Sequence, residues 1–481
     1  MHYGLNIIKS YKKQDLFPYF YIRKISLKMS IKTILENQRA FFNSQATKSL
    51  DFRKTQLKTL KQVISANENL FYEAIDKDFG KSQFDTYTTE LSIIYGEINY
   101  YLKNLKNLMK PKSVTTNLPN LPGSSKIYQD PLGCSLVIGA WNYPYQLSIC
   151  PMISAIAAGN TCILKPSEVA DNSMKLMAEL LNENFDERVL HVEIGGVPET
   201  TALLKLKFDK IFFTGSPQVG KIVYEAAAKN LTPVTLEMGG KSPALVTENA
   251  NLEVAAKRII WGKFLNAGQT CVAPDYILVD KKVAAKFIEI LKNQVQENDY
   301  QPNSSHFTRI INEKHFNRLQ NLIDDTKIIF GGTTDLDKLY IPPTLLYPIN
   351  WGDRIMQEEI FGPILPILLY DNFDKALDQI RNHEKPLSAY LFSDNSNEIE
   401  KFTSEISFGG GCINDVVMHL TNDNLAFGGV GNSGIGNYHG KYGFETFTHQ
   451  KSVLKRATWG ETNLKYPPYS DKKLNWIKKL L

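Results

Sequence analysis

Between residues 135 and 228, short apolar runs alternate with helical stretches, and that alternation constrains the fold more than any other feature. The runs fall at 135–138 (SLVI), 161–164 (TCIL), 190–194 (LHVEI) and 210–213 (KIFF). Helical composition fills 144–158, 172–181 and 219–228. Strands apolar on both faces, each followed by a helix, belong to a parallel sheet covered on both sides. A further run at 233–236 ends on Glu237. Beyond it, strands at 276–279 and 364–369 imply a second α/β domain, although Pro366 weakens the latter assignment. Upstream, residues 30–107 read as helical. There Leu57, Leu60, Ile64, Phe71 and Ile75 recur at intervals of 3, 4, 7 and 4, as one helix face would require. Residues 111–122, rich in Pro, Asn, Ser and Thr, read as an extended excursion.

A chain of 481 residues exceeds one comfortable core, so two or three domains are expected. The net charge of +5 resides in residues 1–28, where five Lys and one Arg face one Asp. The remainder is about neutral, which argues against a nucleic-acid footprint on the folded body. The five cysteines (Cys134, Cys150, Cys162, Cys271 and Cys412) show no CxxC spacing, so neither a metal site nor a disulfide framework is expected. Free thiols point to a reducing, cytoplasmic setting. No run of 18 apolar residues occurs, so no transmembrane anchor is expected. Residues 1–29 read as a disordered extension or as an upstream start ahead of Met29. The segment 16–22 (LFPYFYI) after basic residues lacks a signal-peptide cleavage site.

Several motifs carry chemistry, each with a bland alternative. Cys271 closes NAGQTC (266–271), and Glu237 ends an apolar run inside LEMGGK (236–241). A thiol and a carboxylate so placed form a candidate nucleophile and general base; an isolated Cys is more often a buried small hydrophobe. Asn142, in GAWNYP directly after a strand, is a candidate oxyanion donor or an N-cap. Lys165 and Glu168 in KPSE can bracket a ribose or merely cap a helix. Glu358 and Glu359 before Phe361-Gly362-Pro363 offer a second carboxylate to a ribose, or a solvated helix end. GSPQVGK (215–221) fits GxxxxGK, but Ile222 replaces the magnesium-ligating Ser or Thr of a nucleotide hydrolase. Its strand-to-helix position still suits a pyrophosphate. GVGNSG (429–434) fits GxGxxG without a following βαβ unit and reads as a glycine-rich loop only.

Taken in order, GAWNYP, KPSE, FTGS (213–216), LEMGGK, NAGQTC, EEIFGP (358–363) and FGGVGNSGIGNYHGK (427–441) resemble the aldehyde dehydrogenase superfamily. With KYPPY (465–469), the chain is most similar to the class 3 branch that includes fatty aldehyde dehydrogenases. The resemblance runs from about Ser30 to Ser470. It implies that Cys271 attacks the aldehyde carbon, with the oxyanion held by the Asn142 amide and the Cys271 N–H. Hydride would pass to nicotinamide, and Glu237 would activate water against the thioester. It implies NAD as cofactor, with NADP admitted. Lys165 and Glu168 would lie at the adenosine ribose, Gly215, Ser216 and Gly220 at the pyrophosphate, and Glu359 and Phe361 at the nicotinamide. It further implies an aliphatic or aromatic aldehyde substrate, a homodimer and three parts: an NAD-binding domain (30–108 and 127–237), a catalytic domain (238–444) and a bridging element (109–126 and 445–470). Ala426 stands where the family usually has Pro. A binding protein that keeps the fold is one alternative, against which intact Cys271, Glu237 and Asn142 weigh; an enzyme passing its thioester to coenzyme A is another, against which the retained Glu237 weighs.

Overall fold

The computed structural model describes residues 30–302 and 304–480; the expectation for residues 1–29 otherwise lies outside them. A sheet of six strands forms the first domain, in the order Gly434–Ile435, Val234–Glu237, Lys210–Thr214, Cys134–Ile138, Thr161–Lys165, Leu190–Val192. All neighbours are parallel except the short edge strand Gly434–Ile435. Strand order reverses on either side of Cys134–Ile138, so a crevice opens at the carboxyl ends of that strand and Lys210–Thr214.

The alternation of side chains explains why the runs are continuously apolar. Leu136, Ile138, Ile163, Ile211 and Phe213 pack on one face with Leu203, Val223 and Ala227. Val137, Cys162, Leu164 and Phe212 point into the larger core on the other. There lies helix Gln146–Ala158, buried at every position and apolar on all sides apart from Gln146, Ser148 and Ser154.

The second domain is a seven-stranded sheet ordered Ile328–Phe330, Thr344–Leu346, Ile364–Tyr370, Tyr276–Asp280, Pro243–Val246, Ser388–Phe392, Gly410–Ile413. Only its Ile328–Phe330 edge is antiparallel. Pro366 is tolerated inside this sheet because pairing with Tyr276–Asp280 begins only at Ile367. A third, antiparallel sheet joins Lys112–Val114, Gly123–Pro131 and Thr448–Arg456.

Two sequence expectations need correction. The face from Leu57 to Ile75 is buried, but it belongs to two helices, Leu50–Ala66 and Glu68–Phe79, separated at Asn67. The loop 429–434 is more than a loop. Its end pairs with Val234–Glu237, placing Gly434 opposite Glu237, and the Met238 N–H donates to Ser433 O (3.0 Å).

Candidate active site

The two domains bring their motifs together at the ends of strands. Glu237 is the last residue of Val234–Glu237, paired with Thr214 on one side and Gly434 on the other. It is 2% exposed, and neither carboxylate oxygen has a hydrogen-bond partner. Burial holds its carboxyl well above the usual carboxylate range.

Cys271 follows helix Leu252–Phe264 and a tight turn, Leu265–Gly268. Asn266, Ala267 and Gly268 are all left-handed, with φ of 53°, 51° and 73°. For Asn and Ala this is strained backbone, which persists only where the surroundings over-determine it. Here they do. The Asn266 amide donates to Asn142 O (2.8 Å) and Gln269 O (3.2 Å). The Gln269 amide donates to Arg309 O (3.1 Å), and its carbonyl accepts from Ile311 N–H (3.0 Å). A Cβ on Gly268 would stand 2.2 Å from Gly362 O, so this turn and the EEIFGP loop touch through backbone alone.

The half-buried Cys271 thiol is pushed up to about 12, by burial first, then by Glu359 and Glu237, while the N–H groups of Cys271 and Val272 oppose the rise. Asn142 is buried, and its amide donates to Gln269 O (3.1 Å). An amide nitrogen has two N–H groups, so one donor remains. Its N-cap alternative fails: helix Gln146–Ala158 starts four residues later, with no side-chain cap from Tyr145.

The residues expected at the nicotinamide, Glu359 and Phe361, also pack close to the strand ends. A Cβ on Gly239 would lie 2.1 Å from Glu359 Oε2, so this glycine makes room for that carboxylate. Burial, then Asp275, raises Glu359 to about 8, against the Gly240 N–H. Phe361 is held at a left-handed φ of 52° with its ring edge-on to Trp141 (5.3 Å between centroids). At the far end, buried Lys165 donates to Pro166 O (2.7 Å) and sits 3.6 Å from the half-exposed Glu168 carboxylate. Ser216 caps helix Pro217–Ala228 through Val219 N–H, and a Cβ on Gly215 would meet the Phe213 ring at 2.6 Å. Gly220 also has a packing role in the structure. Its N–H donates to Ser216 O (2.9 Å), and a Cβ would lie 2.4 Å from Met238 Sδ, so its lack of a side chain lets the helix approach the sheet closely.

Sequence reasoning assigned no role to the residues that hold this assembly. Lys241 bonds Asp275 and donates to Ile355 O (3.1 Å) and Glu358 O (2.9 Å). Asp275 accepts from Ile360 N–H (2.9 Å), and Arg318 donates to Ile360 O (2.6 Å). Lys263 is buried behind the turn, its ammonium lowered to about 8 by burial. Lys241, in the quoted LEMGGK, carried the only signal that could have been followed.

Residues 24–453 match the profile of the aldehyde dehydrogenase family. The chain belongs to that family. The match starts slightly ahead of Ser30, where the resemblance was expected to begin. A 4,4'-diaponeurosporen-aldehyde dehydrogenase of Staphylococcus aureus is 50% identical over 441 residues, 91% of this chain and 96% of its own. Aldehyde dehydrogenase family 3 member A2 of Mus musculus is 46% identical over 445 residues, 92% of each chain. Among solved structures, a substrate-bound Staphylococcus aureus AldH superposes with a TM-score of 0.91 at 49% identity, covering 94% of this chain and 99% of that one. This aldehyde dehydrogenase is thus an α/β enzyme related to the family 3 members, and aldehyde oxidation to acids is its general reaction. Among the described residues, no helix is long and apolar enough to cross a membrane.

Proposed function

We propose that this aldehyde dehydrogenase oxidises aliphatic or aromatic aldehydes through a thioester on Cys271, hydrolysed with Glu237 as general base. The observation that carries this reading is a buried carboxylate with both oxygens unpartnered, close enough to a half-buried thiol for its charge to push that thiol up. A structural carboxylate would have found hydrogen bonds; one kept waiting suits a water that arrives with the reaction. The sulfur adds to the carbonyl carbon, and the oxyanion is met by the free N–H of the Asn142 amide and by the Cys271 N–H.

The residues fit a nicotinamide dinucleotide. A glycine cradle at Gly239 admits the Glu359 carboxylate, and a helix N-terminus follows Gly215 and Ser216. Lys165 and Glu168 offer a donor and an acceptor to vicinal hydroxyls. The cofactor supplies the hydride acceptor and, when oxidised, a positive charge. Glu168 disfavours a 2′-phosphate by charge, which makes NAD the first choice. A relative named as the dimeric, NADP-preferring aldehyde dehydrogenase of Mus musculus, 46% identical over 443 residues, keeps NADP admissible and supports a homodimer.

The test follows reduced nicotinamide with NAD or NADP across short, long and aromatic aldehydes. Cys271→Ser should lower kcat by about 10⁴-fold or more. Glu237→Gln should give a burst of about one equivalent per subunit and then stall, because acylation outlives the loss of the base. Turnover surviving in Cys271→Ser, or Glu237→Gln without burst or slowing, would refute the assignment.

A further inference from the structure

Lys81 and Glu90 form a buried ion pair that the proposed chemistry does not use. They are 2% and 0% exposed, and Nζ meets Oε1 at 3.0 Å. Glu90 belongs to a single π-turn, Tyr87–Leu91, an irregularity that often marks functional positions. Its second oxygen accepts the N–H groups of Tyr145 (2.8 Å) and Gln146 (3.2 Å). Those open helix Gln146–Ala158, which has no cap of its own, so a carboxylate from a remote helix sets where it begins. Lys81 Nζ lies 4.4 Å from the centroid of the buried Tyr143 ring. The Tyr143 hydroxyl shares a 2.6 Å hydrogen bond with Thr270 Oγ1, immediately before Cys271. Asn142, on the other side of Tyr143 in sequence, is bonded to Gln269 O.

The ion pair therefore grips the short segment Tyr143–Gln146 at both ends, and Asn142 and Tyr143 reach the catalytic turn through three hydrogen bonds, to Gln269, Asn266 and Thr270. A pair of this kind contributes little to stability that apolar side chains would not, which leaves its geometry as the property to explain. We infer that Lys81 and Glu90 are positioning residues that hold the Asn142 oxyanion donor in register with Cys271, through Tyr143 and the start of helix Gln146–Ala158. The inference rests on the roles proposed above for Asn142 and Cys271.

Lys81→Met, the charge-free pair Lys81→Met/Glu90→Gln, Tyr143→Phe and the combination Lys81→Met/Tyr143→Phe test it in the full chain. The charge-free pair guards against a single variant that fails to fold with Glu90 unpaired. With unchanged melting, kcat should fall about 10- to 100-fold, the cost of a misplaced donor. KM for the aldehyde should stay within about 3-fold, because only the transition state is affected. The costs of Lys81→Met and Tyr143→Phe should not multiply, since one acts through the other. A folded charge-free variant with kcat within about 2-fold of wild type would overturn the inference, as would multiplicative costs. The alkylation rate of Cys271 by iodoacetamide, read by mass spectrometry in the same variants, separates the two claims. If wild type oxidises no aldehyde, the dehydrogenase reading fails alone. The alkylation cycle still decides the coupling: non-additive rate changes support it, and additive or absent changes overturn it.

Discussion

Leaving a buried carboxyl group without hydrogen bonds costs roughly 1–3 kcal/mol on mutational scales, and Glu237 does so with both oxygens. Its folded carboxyl titrates well above its ordinary 4.5, so the native state binds the extra proton and the unfolded chain does not. Stability from this group is complete below 4.5 and declines as pH rises toward the folded value. Glu237→Gln removes the titration. The variant should melt higher than wild type at neutral pH, by an amount that grows as pH is raised from 5 to 8, while losing turnover. Calorimetry across that range checks it, and a gap that is constant with pH would assign the gain to something other than ionisation. Cys271, Glu237 and Asn142 were legible in the sequence because each sits in a dense local motif. Lys241, Asp275 and Arg318 were not, because their partners lie far along the chain: Lys241 reaches Glu358, and Arg318 reaches Ile360. No periodicity encodes such meetings.

Elements were legible wherever a run of apolar residues spanned a whole strand. The central strands at 134–138, 161–165 and 210–214 agree with their expected spans to within a residue or so. Gly434–Ile435 was missed because two residues carry no pattern, and its strand character comes entirely from the neighbour it lies against. That neighbour ends on Glu237, which gives the short strand a functional consequence. A Cβ on Gly434 would stand 2.5 Å from Leu236 O and about 3 Å from Gly429, both backbone, so neither contact can swing away. Gly434→Val should therefore lift the strand and open a path for water to Glu237. We expect kcat to fall about 10- to 100-fold, with the Met238 amide exchanging faster as its bond to Ser433 loosens. Hydrogen exchange resolved at Met238 separates this from general destabilisation, which would quicken amides across both sheets alike.

At the scale of the molecule, the core closes within one chain, yet one element is poorly covered. Strand Thr448–Arg456 pairs on one side with Gly123–Pro131 over nine residues and forms the edge of its sheet. Val453 and Leu454, exposed by 40% and 44%, stand on opposite faces of it. A long edge with apolar residues invites pairing with another chain unless it is blunted. Lys451 and Lys455 blunt it only partly, since Lys451 is already bonded to Asp130. A second copy of the chain is the partner we propose there, so that the segment 445–470 would bridge two subunits. Val453→Lys/Leu454→Lys adds two charges to the edge and touches neither core. The wild-type mass in light scattering should correspond to twice the 54.5 kDa chain, and the variant should fall to one chain. Asn142, Glu237 and Cys271 all come from the same subunit, so the separated chain should still alkylate at Cys271 at the wild-type rate. A variant that stays dimeric would move the interface away from this edge. A monomer whose thiol reactivity collapses would show instead that subunit contact holds the catalytic turn in its strained conformation.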